Sequence, residues 1–154
     1  MRLIIYLIIF SILSGCGFKI ITQSETQRYK ISEMEFKGEK RINYFIKNKL
    51  LKKSNKENLT DEIKLIVNTK KSKIIKEKNI KNEITKYEIS LTSNIVAKLA
   101  EKNTYKFSVS SSGDYSVSDQ NSITINNEKK LIKILSQDMA DKIITELDLT
   151  INDL

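Results

Sequence analysis

A chain with no histidine loses most of the familiar catalytic constellations at once. Without an imidazole there is no Ser/His or Cys/His nucleophile pair and no histidine-ligated zinc. A single cysteine, Cys16, removes a disulfide framework within one chain and a thiolate metal cluster, so no metal centre is expected. The side chains left for chemistry are carboxylates, lysines, serines and tyrosines. Gly113-Asp114 and Gln137-Asp138 offer acids, but no G-x-S-x-G nucleophile turn accompanies them, so the sequence predicts neither an enzyme nor a cofactor. Two features remain whose residue types and spacing carry chemical meaning. One surrounds Cys16, and the other is a run of cations: Lys70, Lys71, Lys73, Lys76, Lys78 and Lys81.

Met1-Arg2 is a minimal positive start, and Leu3 to Leu13 is an apolar run broken only by Ser11. Spanning a hydrocarbon core of about 30 Å takes roughly 20 residues, so this run is too short for an anchor and reads as the core of a secretory signal. Leu13, Ser14, Gly15 and Cys16 follow directly and resemble the lipobox of bacterial lipoproteins. Small side chains at Ser14 and Gly15 let an extended backbone enter a signal-peptidase groove, and the thiol is the soft nucleophile for a thioether. The resemblance implies cleavage after residue 15, a covalent diacylglycerol and an N-acyl group such as palmitate on Cys16, and membrane attachment through two or three chains, where one would hold only weakly. Gly17 stands where an Asp would resemble an inner-membrane retention signal, so the expected location is the periplasmic side of the outer membrane.

The 154 residues carry 27 Lys+Arg against 19 Asp+Glu, a formal charge of +8 that looks at first like a nucleic-acid signature. Loss of residues 1–15 removes only Arg2 and leaves +7. Lysine, isoleucine and asparagine are used heavily together while glycine, proline and arginine are scarce, the pattern of an AT-rich codon bias. The cations are spread along the whole chain, no basic-aromatic motif appears and the protein is read as exported, so nucleic acid is not an expected partner.

Residues 16–28 read as a lipidated tether. Its apolar cluster Phe18, Ile20 and Ile21 either lies across the domain or begins an edge strand. Residues 29–150 read as one domain. Tyr29 to Phe36 is strand-like with a phase slip between Ile31 and Met34, the mark of a bulge, and Gly38 ends it. From Glu39 to Lys53, Ile42, Phe45, Ile46 and Leu50 recur at helical spacing with lysines opposite. Ile63, Leu65 and Val67 alternate, as do Tyr87, Ile89, Leu91, Ile95, Ala97 and Leu99, and then Tyr105, Phe107 and Val109; period two predicts antiparallel strands with one wet face. Lys70 to Asn82 reads as a long basic hairpin arm, Ala100 to Asn103 as a turn and Ser110 to Asn121 as a loop. A last helix is expected from an N-cap at Asn127 to about Leu149, with Leu131, Leu135, Met139, Ile143 and Leu147 facing a sheet. The expected fold is α+β in the order β-α-β-β-β-α: an antiparallel sheet of about four strands with two helices on one face.

With Cys16-Gly17-Phe18-Lys19 opening the mature chain, this order of elements resembles the lipopolysaccharide-assembly lipoprotein family, LptE. The stretch Gly113-Asp114-Tyr115-Ser116-Val117, followed after a spacer by Gln137-Asp138-Met139-Ala140-Asp141-Lys142-Ile143-Ile144, resembles the strand-to-helix passage of the family's alphaproteobacterial branch. The resemblance implies a non-enzymatic outer-membrane lipoprotein that plugs an LptD-type β-barrel and contacts lipopolysaccharide. Lys70, Lys71, Lys73, Lys76, Lys78 and Lys81 are then the expected contacts to its anionic groups, although no family motif maps onto them. The alternative is another envelope lipoprotein serving as an accessory subunit of barrel assembly or of an ABC transport system.

Overall fold

The period-two patterning becomes four strands. The computed structural model describes residues 29–54, 61–99 and 103–152, which form β1 (Tyr29–Gly38), α1 (Lys40–Ser54), β2 (Asp61–Lys78), β3 (Ile84–Leu99), β4 (Asn103–Ser116) and α2 (Asn121–Asn152). The strands lie in the order β1-β2-β3-β4, giving the expected α+β fold. The sheet is mixed where a wholly antiparallel one is expected from the alternation: β1 runs parallel to β2, with Tyr29 beside Asp61 and Gly38 beside Thr69. The reason is α1. A helix inserted between neighbouring strands returns the chain to its starting end, which is the crossover a parallel pair needs. The other two pairs are antiparallel.

The phase slip in β1 is a bulge, its register shifting between Ile31 and Glu33. The Ser32 hydroxyl donates to the Ile63 carbonyl at 3.3 Å, and Met34 and Phe36 return to the core side. Gly38 ends the strand with φ at +88°, and a Cβ there would lie 2.0 Å from the Thr69 carbonyl oxygen. Only glycine meets both demands.

One face of the sheet is buried by Ile63, Leu65 and Val67 of β2, Ile89, Leu91, Ile95 and Ala97 of β3, and Val109 and Tyr115 of β4. Ile42, Ile46 and Leu50 of α1 and Leu135, Met139, Ile143 and Leu147 of α2 close over it. Ser93 keeps the inward period of β3 going and is fully buried. Its hydroxyl pairs with that of Thr69 at 2.8 Å, which satisfies both polar groups.

Two boundaries differ from the sequence reading. Ser110 to Ser116 is strand, with Ser111 and Gly113 facing inward beneath α2. The small residues make room for it, since a Cβ on Gly113 would meet Leu131 Cδ1 at 3.0 Å. α2 begins at Asn121, well before Asn127. The backbone N–H of Ser118 donates to Thr124 Oγ1 at 2.8 Å, and the Ile123 N–H reaches the Gln120 carbonyl at 3.1 Å, so the first turn is held without the expected cap. Asn127 instead donates from Nδ2 to the Ser116 carbonyl at 3.2 Å, tying the helix to the end of β4. The turn expected at Ala100 to Asn103 and the loop expected at Ser54 to Asn58 fall largely outside the described residues.

Candidate functional site

Cys16 and its recognition residues Leu13, Ser14 and Gly15 lie outside the described residues. The six lysines lie inside them, and the structure gathers them on one arm. Past Thr69, β2 leaves its partner β1 behind and continues to Lys78 beside β3, with a turn at Asn79 to Asn82. Asn79 builds that turn: its Oδ1 accepts from the backbone N–H groups of Lys81 and Glu83, while Asn82 takes a left-handed φ of +63°.

Alternation along a strand sends neighbouring side chains to opposite faces, so these six cations do not form one patch. Lys71 and Lys73 share the helix side. Lys73 Nζ donates to Glu128 Oε2 at 2.7 Å and lies 4.3 Å from the centroid of the Tyr87 ring; Lys71 approaches the same carboxylate at 4.0 Å. The Tyr115 hydroxyl also donates to Glu128 Oε2, at 2.8 Å, and the Tyr87 and Tyr115 rings stack with centroids 5.6 Å apart. On the open face Lys76 is held between Asp114 and Glu88. Lys78 donates to Asn82 Oδ1 at 2.9 Å. The ammonium groups of Lys70 and Lys81 make no ion pair among the described residues.

The electrostatics follow these pairings. Burial pulls Lys73 downward, but the hydrogen bonds to Glu128 and Tyr115 outweigh it and hold the ammonium above the ordinary lysine value. Burial likewise pushes Glu128 up, and Lys73 and Tyr115 bring it below the usual carboxylate range. Lys76 is raised chiefly by its bond to Asp114. Lys71, Lys73 and Lys76 therefore pin the base of the arm to α2, β3 and β4, leaving Lys70, Lys78 and Lys81 as the cations presented outward. Alongside them stand apolar side chains: Ile74 and Ile75 are half exposed, and Ile80 at the turn is fully exposed.

Sequence reading missed Glu128, Asp114, Glu88 and the two tyrosines as partners. Glu128 lies 55 residues from Lys73, so no local pattern announces the contact. Inward alternation of Tyr87 and Tyr115 was the available signal for the rings.

No three metal-ligating side chains converge among the described residues, and no described helix is long and apolar enough to cross a membrane. No protein-family profile and no curated protein sequence matches the chain. Solved structures do. The solution structure of uncharacterized lipoprotein B from Nitrosomonas europaea superposes with a TM-score of 0.62 at 13% identity, covering 88% of this chain and 93% of that one. Rare lipoprotein B from Shewanella oneidensis gives 0.58 at 15% identity, covering 79% and 97%. The chain has the fold of these lipoproteins. A third, the minor lipoprotein from Acinetobacter baumannii, gives 0.56 at 16% identity over 80% and 92%. At such identities the likeness concerns the path of the backbone, and the placement of individual lysines is this chain's own.

Proposed function

We propose that the protein is an LptE-type lipoprotein: anchored through acylated Cys16 on the periplasmic side of the outer membrane, seated in an LptD-type β-barrel, and assisting lipopolysaccharide export without enzymatic activity. The observation that carries this reading is a conjunction. A lipobox leading into Cys16-Gly17-Phe18 stands ahead of a β-α-β-β-β-α domain whose solved structural neighbours are themselves lipoproteins.

The architecture fits the task physically. Helices cover one face of the sheet, and the other presents Ser90, Thr92 and Asn94 of β3 beside Ser108, Ser110 and Ser112 of β4. A wet, hydroxyl-rich surface suits the polar interior of an outer-membrane barrel. The arm offers outward cations beside exposed isoleucines, a combination suited to a glycolipid that carries phosphates next to acyl chains. In physiological salt such cations act only within about 8 Å, so they require close contact. Depletion of the protein, combined with affinity purification of its partners and an assay of surface lipopolysaccharide, tests the reading. Co-purification of a large outer-membrane barrel and loss of surface lipopolysaccharide are expected. An intact barrel with normal surface lipopolysaccharide after depletion rejects it.

A further inference from the structure

β1 ends at Gly38, level with Thr69 of β2, and the chain turns directly into α1. The Glu39 N–H donates to the Thr69 carbonyl at 3.4 Å and the Glu39 carbonyl accepts from the Asn43 N–H at 3.0 Å, so the first turn of α1 is fixed beside β2. Two residues past Thr69, Lys71 is the next side chain on the helix face of that strand. On α2, Ile125, Glu128, Lys129 and Ile132 follow the i, i+3, i+4, i+7 spacing of one helix face. A notch of about 240 Å³ lies where these three elements meet. Its lining is two-sided: Ile42 and Ile132 are buried in its wall and Ile125 is 43% exposed, while Arg41, Lys71 and Lys129 bring three cations to the same space. Of its two acids, Glu128 is already matched by Lys73 at 2.7 Å and also accepts from Tyr115. Lys71 stands 4.0 Å from the other Glu128 oxygen, the outer limit of an ion pair, with its side chain 30% exposed. With Glu39 opposing one cation, two positive charges are left in excess.

We propose that this notch binds a phosphate monoester, with the carbon chain of the ester lying against Ile125. Such a group carries about −1.5 to −2 at neutral pH, which answers an excess of two, where a carboxylate would leave one cation unmatched. The Arg41 guanidinium supplies the planar fork that takes two phosphate oxygens at once, and Lys71 and Lys129 act as point charges. The volume falls below the roughly 300–1,000 Å³ of a pocket for a drug-sized molecule, so the notch holds the headgroup and the first few methylenes. A longer chain leaves past Ile125. The site is built by α1, α2 and the base of the arm, apart from Lys78 and Lys81 near the arm's turn, and it requires neither the barrel nor the glycolipid of the proposed function.

The test uses the whole protein as purified from cells, held in phosphatidylcholine nanodiscs and titrated by calorimetry with inorganic phosphate, hexyl phosphate and dihexanoyl phosphatidic acid. Hexyl phosphate should occupy one site at least tenfold more tightly than inorganic phosphate. Arg41→Gln combined with Lys129→Gln, both at exposed positions, should weaken every ligand at least tenfold at an unchanged melting temperature. Lys78→Gln with Lys81→Gln should leave binding as it is. Ile125→Ser should remove the advantage of hexyl phosphate and spare inorganic phosphate. Phosphatidic acid binding more tightly than hexyl phosphate identifies a lipid as the source of the group, and the reverse order a soluble monoester; either supports the site. Lack of saturable binding, equal affinity for hexyl and inorganic phosphate, or binding undiminished in the Arg41 and Lys129 variant overturns it. No barrel or lipopolysaccharide is present in the titration, so these outcomes are separate from those that test the proposed function.

Discussion

The arm lysines divide into two sets that a pair of variants should separate. Lys73 is structural: its side chain, 36% exposed, meets the Glu128 side chain, 24% exposed, with Nζ 2.7 Å from Oε2, and it sits over the Tyr87 ring. A hydrogen bond to a charged group contributes about 1.5–3 kcal/mol when well covered, whereas exposed pairs contribute about 0.2–1. Partial exposure places this pair between those limits, and the cation–π contact adds about 0.5 kcal/mol at such a site. Lys73→Gln should therefore destabilise by about 1–2 kcal/mol, read as a lower urea midpoint at unchanged slope and a melting temperature lower by about 4–8 °C. Its binding to lipopolysaccharide should change little. Lys70, Lys78 and Lys81 behave in the opposite way. A lysine beside an anionic lipid surface contributes about 1 kcal/mol, so replacing all three with Gln should weaken binding by roughly 100-fold at low ionic strength, less in physiological salt, with stability within about 0.5 kcal/mol of the parent. Equilibrium binding at two salt concentrations, with urea unfolding of the same proteins, checks both halves. Equal losses of binding in the Lys73 variant and the triple variant would refute the division, and so would a Lys73 variant of unchanged stability.

Three other outcomes follow from the packing. Gly38→Ala demands a left-handed φ from a residue with a Cβ and drives that atom into the Thr69 carbonyl, so a loss of about 2 kcal/mol or more is expected in thermal or urea unfolding. Tyr29→Phe removes the phenol that donates to Asp148 Oδ1 at 2.9 Å in a buried site, which should cost about 1–3 kcal/mol. Burial first and Asp148 second push that phenol well above its ordinary value, so it stays a donor through neutral pH. Glu128, Asp138 and Asp141 all lie below their ordinary values of 4.5, 3.8 and 3.8 in the folded chain, so the unfolded chain takes up protons first as pH falls. Their stabilisation is complete above about pH 5 and fades as the pH drops through their folded values; with no histidine, the melting temperature should be flat from about pH 5.5 to 8. A midpoint between pH 6 and 7 would contradict this.

What the sequence disclosed and what it hid divide along physical lines. Alternation exposes which side chains of β2, β3 and β4 face a core, and the slip at Ile31 to Met34 exposes a bulge, because both are local properties of pleated backbone. The direction of β1 is not local. It depends on α1 lying between two strands that become neighbours, and alternation reads the same for parallel and antiparallel pairs. The serine run of β4 resembles a loop by composition, yet small residues are what a strand needs beneath a closely packed helix, as Gly113 under Leu131 and Leu135 demonstrates. The candidate site was legible as a set of cations and illegible as an arrangement. Its partners come from α2 and from neighbouring strands, and pairing cancels half of what a charge count promises.

The parallel pairing of β1 and β2 also fixes where the described chain enters the sheet and where the arm leaves it. Tyr29 and Asp61 share one pole, so a tether entering β1 arrives at the end from which β2 departs, and the arm leaves at the other. From Thr69, level with Gly38, β2 runs nine further residues to Lys78, or about 30 Å. The outward cations are therefore spread from Lys70, one residue past the level of Gly38, to Lys78 and Lys81 at the tip, all on the side away from Tyr29, and the fold places them there because a helix made its first two strands parallel.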